Sequence, residues 1–271
     1  MLALQSMYAE GLLATDFATM EWSQAGQQLA QNLVGLSYGS YPMPTAFITA
    51  NRSMNPEAEW IVMPIVSVDG SMSRPQAMMS RIDNYVFVRK GIAHPEAVVK
   101  VINLGLVVDT EVDDDPNRDP ELKDHLYKFG SGIERPGKNL DIHDDIHEAM
   151  VSGNPDNLTA EETNLYNSIM YGIETRENTF FMVYGSEPNS TFYIMKQNMI
   201  NKNYVVNEFQ GPYTDTMVEH MGILDQSLNE AMFAVMMGGD ISIFDNAVEL
   251  WYSGMGGVIT QEVNEWYANS K

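Results

Sequence analysis

The chain has 271 residues, enough to bury a full core in one or two domains, and a formal charge of −22 from 15 Lys and Arg against 37 Asp and Glu. That balance disfavours nucleic-acid backbones and anionic membrane surfaces as partners, because both repel it. The absence of cysteine excludes disulfides and thiol chemistry within the chain, and no apolar run of about eighteen residues is present to span a membrane.

Residues 1–13 read as an amphipathic helix with Leu2, Leu4, Met7, Tyr8 and Leu12 as its apolar set. Its first residues lack the basic segment of a secretion signal and enter the helix directly, so Met1 reads as an internal start. Trp22 to Leu33 is a second helix, closed by Gly35. Leu36 to Ser40 follows as a short strand, and Pro42 to Arg52 as a helix whose opening prolines suit a first turn. Trp60 to Val66 is an unbroken apolar run between polar flanks, the pattern of a buried strand. A turn at Val68-Asp69-Gly70-Ser71, a strand from Tyr85 to Val88 and a helix from Pro95 to Leu106 come next. Helices interleaved with strands predict α/β layers, with the segments at 36–40 and 60–66 neighbours in one sheet.

From Asp109 to Pro120 the sequence runs DTEVDDDPNRDP, with oxygens at alternate positions as in a calcium loop. An EF-hand needs glycine at loop position six and glutamate at twelve, where Asp114 and Pro120 stand, so a solvated acidic loop is the better reading. His143-Asp144-Asp145-Ile146-His147 places two histidines one helical turn apart, as in zinc peptidases. The general base of that motif is glutamate, here the shorter Asp144, and no motif supplies a third ligand. These residues read as solvated histidines among carboxylates, their pKa values raised by those neighbours. They are also the basis of the competing functional reading, a metal-dependent hydrolase using His143 and His147. Gly39-Ser40 lacks the second glycine of a nucleophile elbow, where Pro42 stands.

The last sixty residues begin at a Gly211-Pro212 turn and a long amphipathic helix, break at Gly238-Gly239-Asp240, and continue through a helix with its apolar stripe at Ile243, Phe244, Ala247, Val248 and Trp251. A glycine-rich turn and a terminal helix complete them. Within that order stand Pro212-x-x-x-x-Met217-Val218-Glu219, the pair Gly256-Gly257, and Ile259-Thr260-x-Glu262-Val263-Asn264-Glu265-Trp266-Tyr267. Upstream come Met7-Tyr8-x-Glu10-Gly11-Leu12, Asp16-Phe17-Ala18-Thr19-Met20-x-Trp22, Trp60-Ile61-Val62-Met63-Pro64 and His94-Pro95-Glu96-Ala97. In this order and spacing the chain resembles the latter half of family 1 extracellular solute-binding proteins, the ligand-capturing lipoproteins of bacterial ABC importers, in particular their LplA-like branch.

The resemblance implies an α/β fold of the type II periplasmic-binding-protein kind. Residues 1–72 would form the first part of the C-terminal lobe. Residues 73–108 would be a hinge crossing with a strand–helix segment returned to the N-terminal lobe, and 109–271 the acidic loop and helical remainder of the C-terminal lobe. It implies non-catalytic capture of a small-molecule solute, an oligosaccharide or related carbohydrate, with ABC permease subunits as partners and neither metal nor cofactor. The whole protein would be extracellular and anchored at the cell surface, with the anchor, the signal and a first lobe outside this chain. Apolar surface left uncovered by that lobe would favour self-association.

Ligand contacts are expected at Ser40 and Tyr41, where sugar-binding relatives of the maltose-binding type usually carry a stacking tryptophan. Tyr213 and Thr214 are expected in the cleft as well, at the turn before the long helix, where free N–H groups lie. Trp22, opening the second helix, completes the set, with core packing as its competing role.

Overall fold

The structure, a computed structural model, describes residues 1–77, 86–110 and 137–270, and of 77 and 106–110 the backbone alone. Most of the acidic stretch and Tyr85 therefore lie outside the described residues. Helices dominate. Among the described residues one sheet is present, pairing β1 (Gln76–Ala77) with β2 (Val205–Val206).

The strands expected at 36–40 and 60–66 are neither helical nor paired into a sheet. An isolated antiparallel bridge joins Val66 to Met72 across the Asp69 turn, where the Asp69 carboxylate accepts from Ser67 and Ser71. Trp60 and Val62 pack against the core, whereas Ile61 and Met63 are 66% and 62% exposed. That inward–outward alternation is the period of a strand covered on one face only. An unbroken apolar run was therefore a poor guide to burial here, because of residues 60–66 only Trp60 and Val62 turn inward and the rest are exposed.

The chain divides into two compact units, described separately. The first gathers residues 1–22, 77 and 206–270. It contains α1 (Leu2–Ala9) and a short 3₁₀ turn (Phe17–Thr19), and it continues at the other end of the chain with three further helices. The longest of these begins at Asp215 because Thr214 caps it, the hydroxyl accepting from the Met217 N–H at 3.2 Å. It ends at Met236, where Gly238 adopts φ +110° and turns the chain back. A helix over Ser242–Trp251, a π-turn and a terminal helix over Gly257–Asn269 follow. Gly256 is required at the join, because an added Cβ would lie 2.2 Å from the Trp251 ring. Met217, Leu224 and Ile259 form the core here, flanked by Phe209, Met221, Trp251 and Val263. The expected amphipathic face of α1 is largely open, with Leu2 58% exposed. A polar latch holds α1 instead, Gln5 donating to the carbonyls of Val235 and Gly239. Edge-to-face contacts run from Tyr8 through Phe17 to Phe233.

The second unit gathers 23–76, 86–110 and 137–205. Its helices are α2 (Trp22–Ala30), α3 (Thr49–Met54), α4 (Ala97–Thr110), α5 (Lys138–Ser152), α6 (Ala160–Thr175), the one-turn α7 (Phe181–Tyr184) and α8 (Thr191–Ile200). In chain order, the three long helices of the first unit are then α9 (Asp215–Met236), α10 (Ser242–Trp251) and α11 (Gly257–Asn269). A capping box starts α6: Thr159 accepts from the Glu162 N–H, and the Glu162 carboxylate accepts from the Thr159 N–H. Two apolar clusters share Phe181 at their margins, one of Leu29, Ile48 and Met182, the other of Ile142, Ile146 and Ile169. Val86, Phe87, Val99 and Val101 stand exposed on and before α4.

Candidate functional site

Tyr41 lies beyond Ser40, whose carbonyl accepts from the Met43 N–H as the chain turns toward α3. The Tyr41 ring is 43% exposed and sits with its centroid 5.3 Å from that of Phe192 on α8, a residue only 3% exposed. Phe192 packs in turn on Tyr184, centroids 4.9 Å apart. Tyr184 is fixed at both ends. Its hydroxyl donates to Asn139 Oδ1 at 3.2 Å, and its carbonyl accepts from His143 Nδ1 at 3.1 Å. A surface aromatic is thus backed by an aromatic stack that runs inward to a buried histidine, so its ring is held rather than free to swing.

The remaining expected ligand residues belong to the first unit. Tyr213 is 72% exposed. Thr214 is already engaged: besides capping α9 it donates to Glu262 Oε2 at 2.5 Å, and Thr216 donates to the same carboxylate at 2.7 Å. These two hydroxyls hold the Glu262 carboxyl below its usual range. Trp22 is 49% exposed at the start of α2, so core packing does not account for it. Tyr213, Thr214 and Trp22 fall in one unit, Ser40 and Tyr41 in the other.

His143 corrects the reading of a solvated histidine with a raised pKa. His143 is 2% exposed, and burial pushes its imidazole below the ordinary histidine value, outweighing the Tyr184 carbonyl and Asp144. As the carbonyl accepts from Nδ1, His143 is the neutral Nδ1–H tautomer. The His147 ring stands 6.0 Å from it, with Nδ1 buried and lacking a hydrogen-bond partner among the described residues. Lys196 pairs with Asp144 beside them. Among the described residues no three His, Asp or Glu side chains converge as metal ligands.

Comparison of the chain with family models, with curated proteins and with solved structures finds no match. The supports of Tyr41 escaped the sequence because Phe192 and Tyr184 lie far from it along the chain, with no spacing linking them. One signal pointed inward: Ile142, Ile146 and Ala149 recur at helical spacing around His143, placing that histidine beside the apolar stripe.

Proposed function

We propose that the chain captures a small-molecule solute, an oligosaccharide or related carbohydrate, for an ABC importer, without chemical change to it. The observation that carries this reading is the Tyr41 ring, 43% exposed and braced by buried Phe192. A braced aromatic offers one face to the C–H side of a sugar and a hydroxyl for a directional bond. The resemblance to family 1 solute-binding proteins supplies the transport context.

In this reading the fold is of the type II periplasmic-binding kind, with this chain holding mainly the C-terminal lobe, outside the cell and tethered to it. Ligand bridges two lobes, favours the closed form, and the permease subunits recognise that form. Tyr213 is the stronger contact candidate of its pair, since Thr214 is occupied by Met217 and Glu262. The open apolar side chains of 86–101 favour association of the isolated chain with itself. Sedimentation across a concentration series reads this directly, and a monomer at every concentration speaks against it.

Calorimetric titration with a panel of oligosaccharides, run beside thermal melts, tests the central reading. Tyr41→Ala is expected to weaken binding about tenfold, roughly 1.4 kcal/mol, with little change in melting. Normal binding with a much lower melt would make Tyr41 a packing residue. Binding of a peptide or metabolite but of no carbohydrate would leave capture standing and overturn the substrate class.

A further inference from the structure

Arg52, on α3, is 8% exposed, and its guanidinium carbon stands 5.5 Å from the centroid of the Phe181 ring. Its one hydrogen bond among the described residues is long, from Nη1 to the Asn178 carbonyl at 3.4 Å. Nε is buried with no hydrogen-bond partner among the described residues. A guanidinium offers five N–H donors and stays charged, so at this depth an arginine is ordinarily met by a carboxylate. None is within ion-pair distance of Arg52 among the described residues, in a chain with 37 Asp and Glu.

Arg52 lines a cavity of about 280 Å³ with Ser53, Pro56, Thr175, Arg176 and Glu177. The second arginine, Arg176, is placed there by a left-handed residue conformation at the end of α6, φ +64°. It is already paired, to Glu59 Oε1 at 2.7 Å and the Ala58 carbonyl at 3.3 Å. Glu177 opposes an anion but is turned to the Tyr171 hydroxyl, which donates to it. The Arg176–Glu59 pair is exposed and screened by solvent, whereas Arg52 is not. Two arginines and two carboxylates, Glu59 and Glu177, thus stand around the cavity, and the guanidinium left without a carboxylate in contact among the described residues is that of Arg52.

We propose that this pocket binds a small organic carboxylate, held by the Arg52 guanidinium. A planar carboxylate matches the guanidinium fork and meets the Arg52 donors that the described residues leave open. A phosphate dianion is disfavoured because Glu177 and Glu59 repel the excess. Pro56 and the Thr175 methyl give a short aliphatic body somewhere to lie, and the volume is at the lower end for small-ligand sites. The pocket shares no lining residue with Tyr41 and its supports, so this proposal is independent of the solute-capture reading.

The experiment is a set of thermal melts and calorimetric titrations with propionate, succinate and inorganic phosphate, each against chloride at equal ionic strength. The wild-type chain is expected to melt higher in the carboxylates than in chloride, and phosphate to do less. Arg52→Met should lose at least tenfold in carboxylate affinity, and Arg52→Lys should regain only part of it. Ser53→Phe, on the exposed rim, fills the cavity without touching the charge and should remove the response even if Arg52→Met fails to fold. Carboxylates no better than chloride, or a response that survives Arg52→Met or Ser53→Phe, would overturn the proposal. Phosphate binding more tightly than either carboxylate through Arg52 would overturn the ligand class.

Discussion

The two units bury different kinds of residue. In the first, the buried side chains are apolar: Met217, Leu224, Ala231, Val235, Met236, Ala247 and Ile259. In the second, Asn51, Arg52, Lys138, His143, Glu162, Thr179 and Ser190 are buried among the apolar residues. The cause lies in the backbone. The helix α9 runs for 22 residues and satisfies most of its own polar groups, so apart from the Gln5 latch at its C-terminal end its neighbours mainly pack against it. Among the described residues the second unit has no helix as long as α9, and irregular segments join its helices, with buried side chains taking up backbone carbonyls. Asn51 donates to the Leu29 and Ala30 carbonyls, Thr179 to that of Pro44, and Ser190 to that of Gly185. Against that background Arg52 stands out, because its buried donors are mostly unmet.

This contrast can be broken by substitution. Leu224→Ala, at the centre of the first core, is expected to cost about 3 kcal/mol in chemical denaturation. Asn51→Ala should cost about 2 kcal/mol, although it removes little apolar area. It strands the Trp60 indole N–H, which donates to Asn51 Oδ1 at 2.7 Å, and leaves the Leu29 carbonyl with the Asn32 N–H alone. Thr214→Ala removes only a cap and its bond to Glu262, about 1 kcal/mol. If Asn51→Ala proved as mild as Thr214→Ala, the claim that polar satisfaction holds the second unit would fail.

A smaller effect sharpens the same point through pH. The pKa of buried His143 is below the ordinary value of about 6.5, so on acidification the unfolded chain takes up its proton before the folded one does. Stability should fall as pH drops from about 7 to 6, and His143→Gln should flatten that slope. Asp144, His147 and Lys196 face the same imidazole and are left in place by the substitution. Glu162 acts in the opposite sense, because burial and Asp145 raise its pKa and acid relieves the cost of its charge. Melts taken across that window read the difference between the two chains.

Helices were legible because their signals are local. The expected starts at Trp22, in the first turn after Pro95, and after the Gly211-Pro212 turn hold to within a few residues, and so does the break at Gly238-Gly239. The extended segments were not, since what pairs with or covers residues 60–66 is decided by residues distant in sequence. The same limit explains the site. Tyr41 could be singled out from its place in the chain, but its bracing by Phe192, the burial of His143 and the unmet donors of Arg52 are tertiary facts. The two histidines looked solvated because Asp144 and Asp145 stand beside them, while the helical period set His143 toward Ile142 and Ile146.

Hydrogen–deuterium exchange of the chain at saturating oligosaccharide, peptide by peptide against the sugar-free chain, tests solute capture most directly. The account predicts slowed exchange over 38–43 and 211–216, with 142–150 on α5 unchanged. Protection centred on the histidine helix instead would contradict it, and none anywhere with any saccharide of the panel would contradict a carbohydrate as the solute.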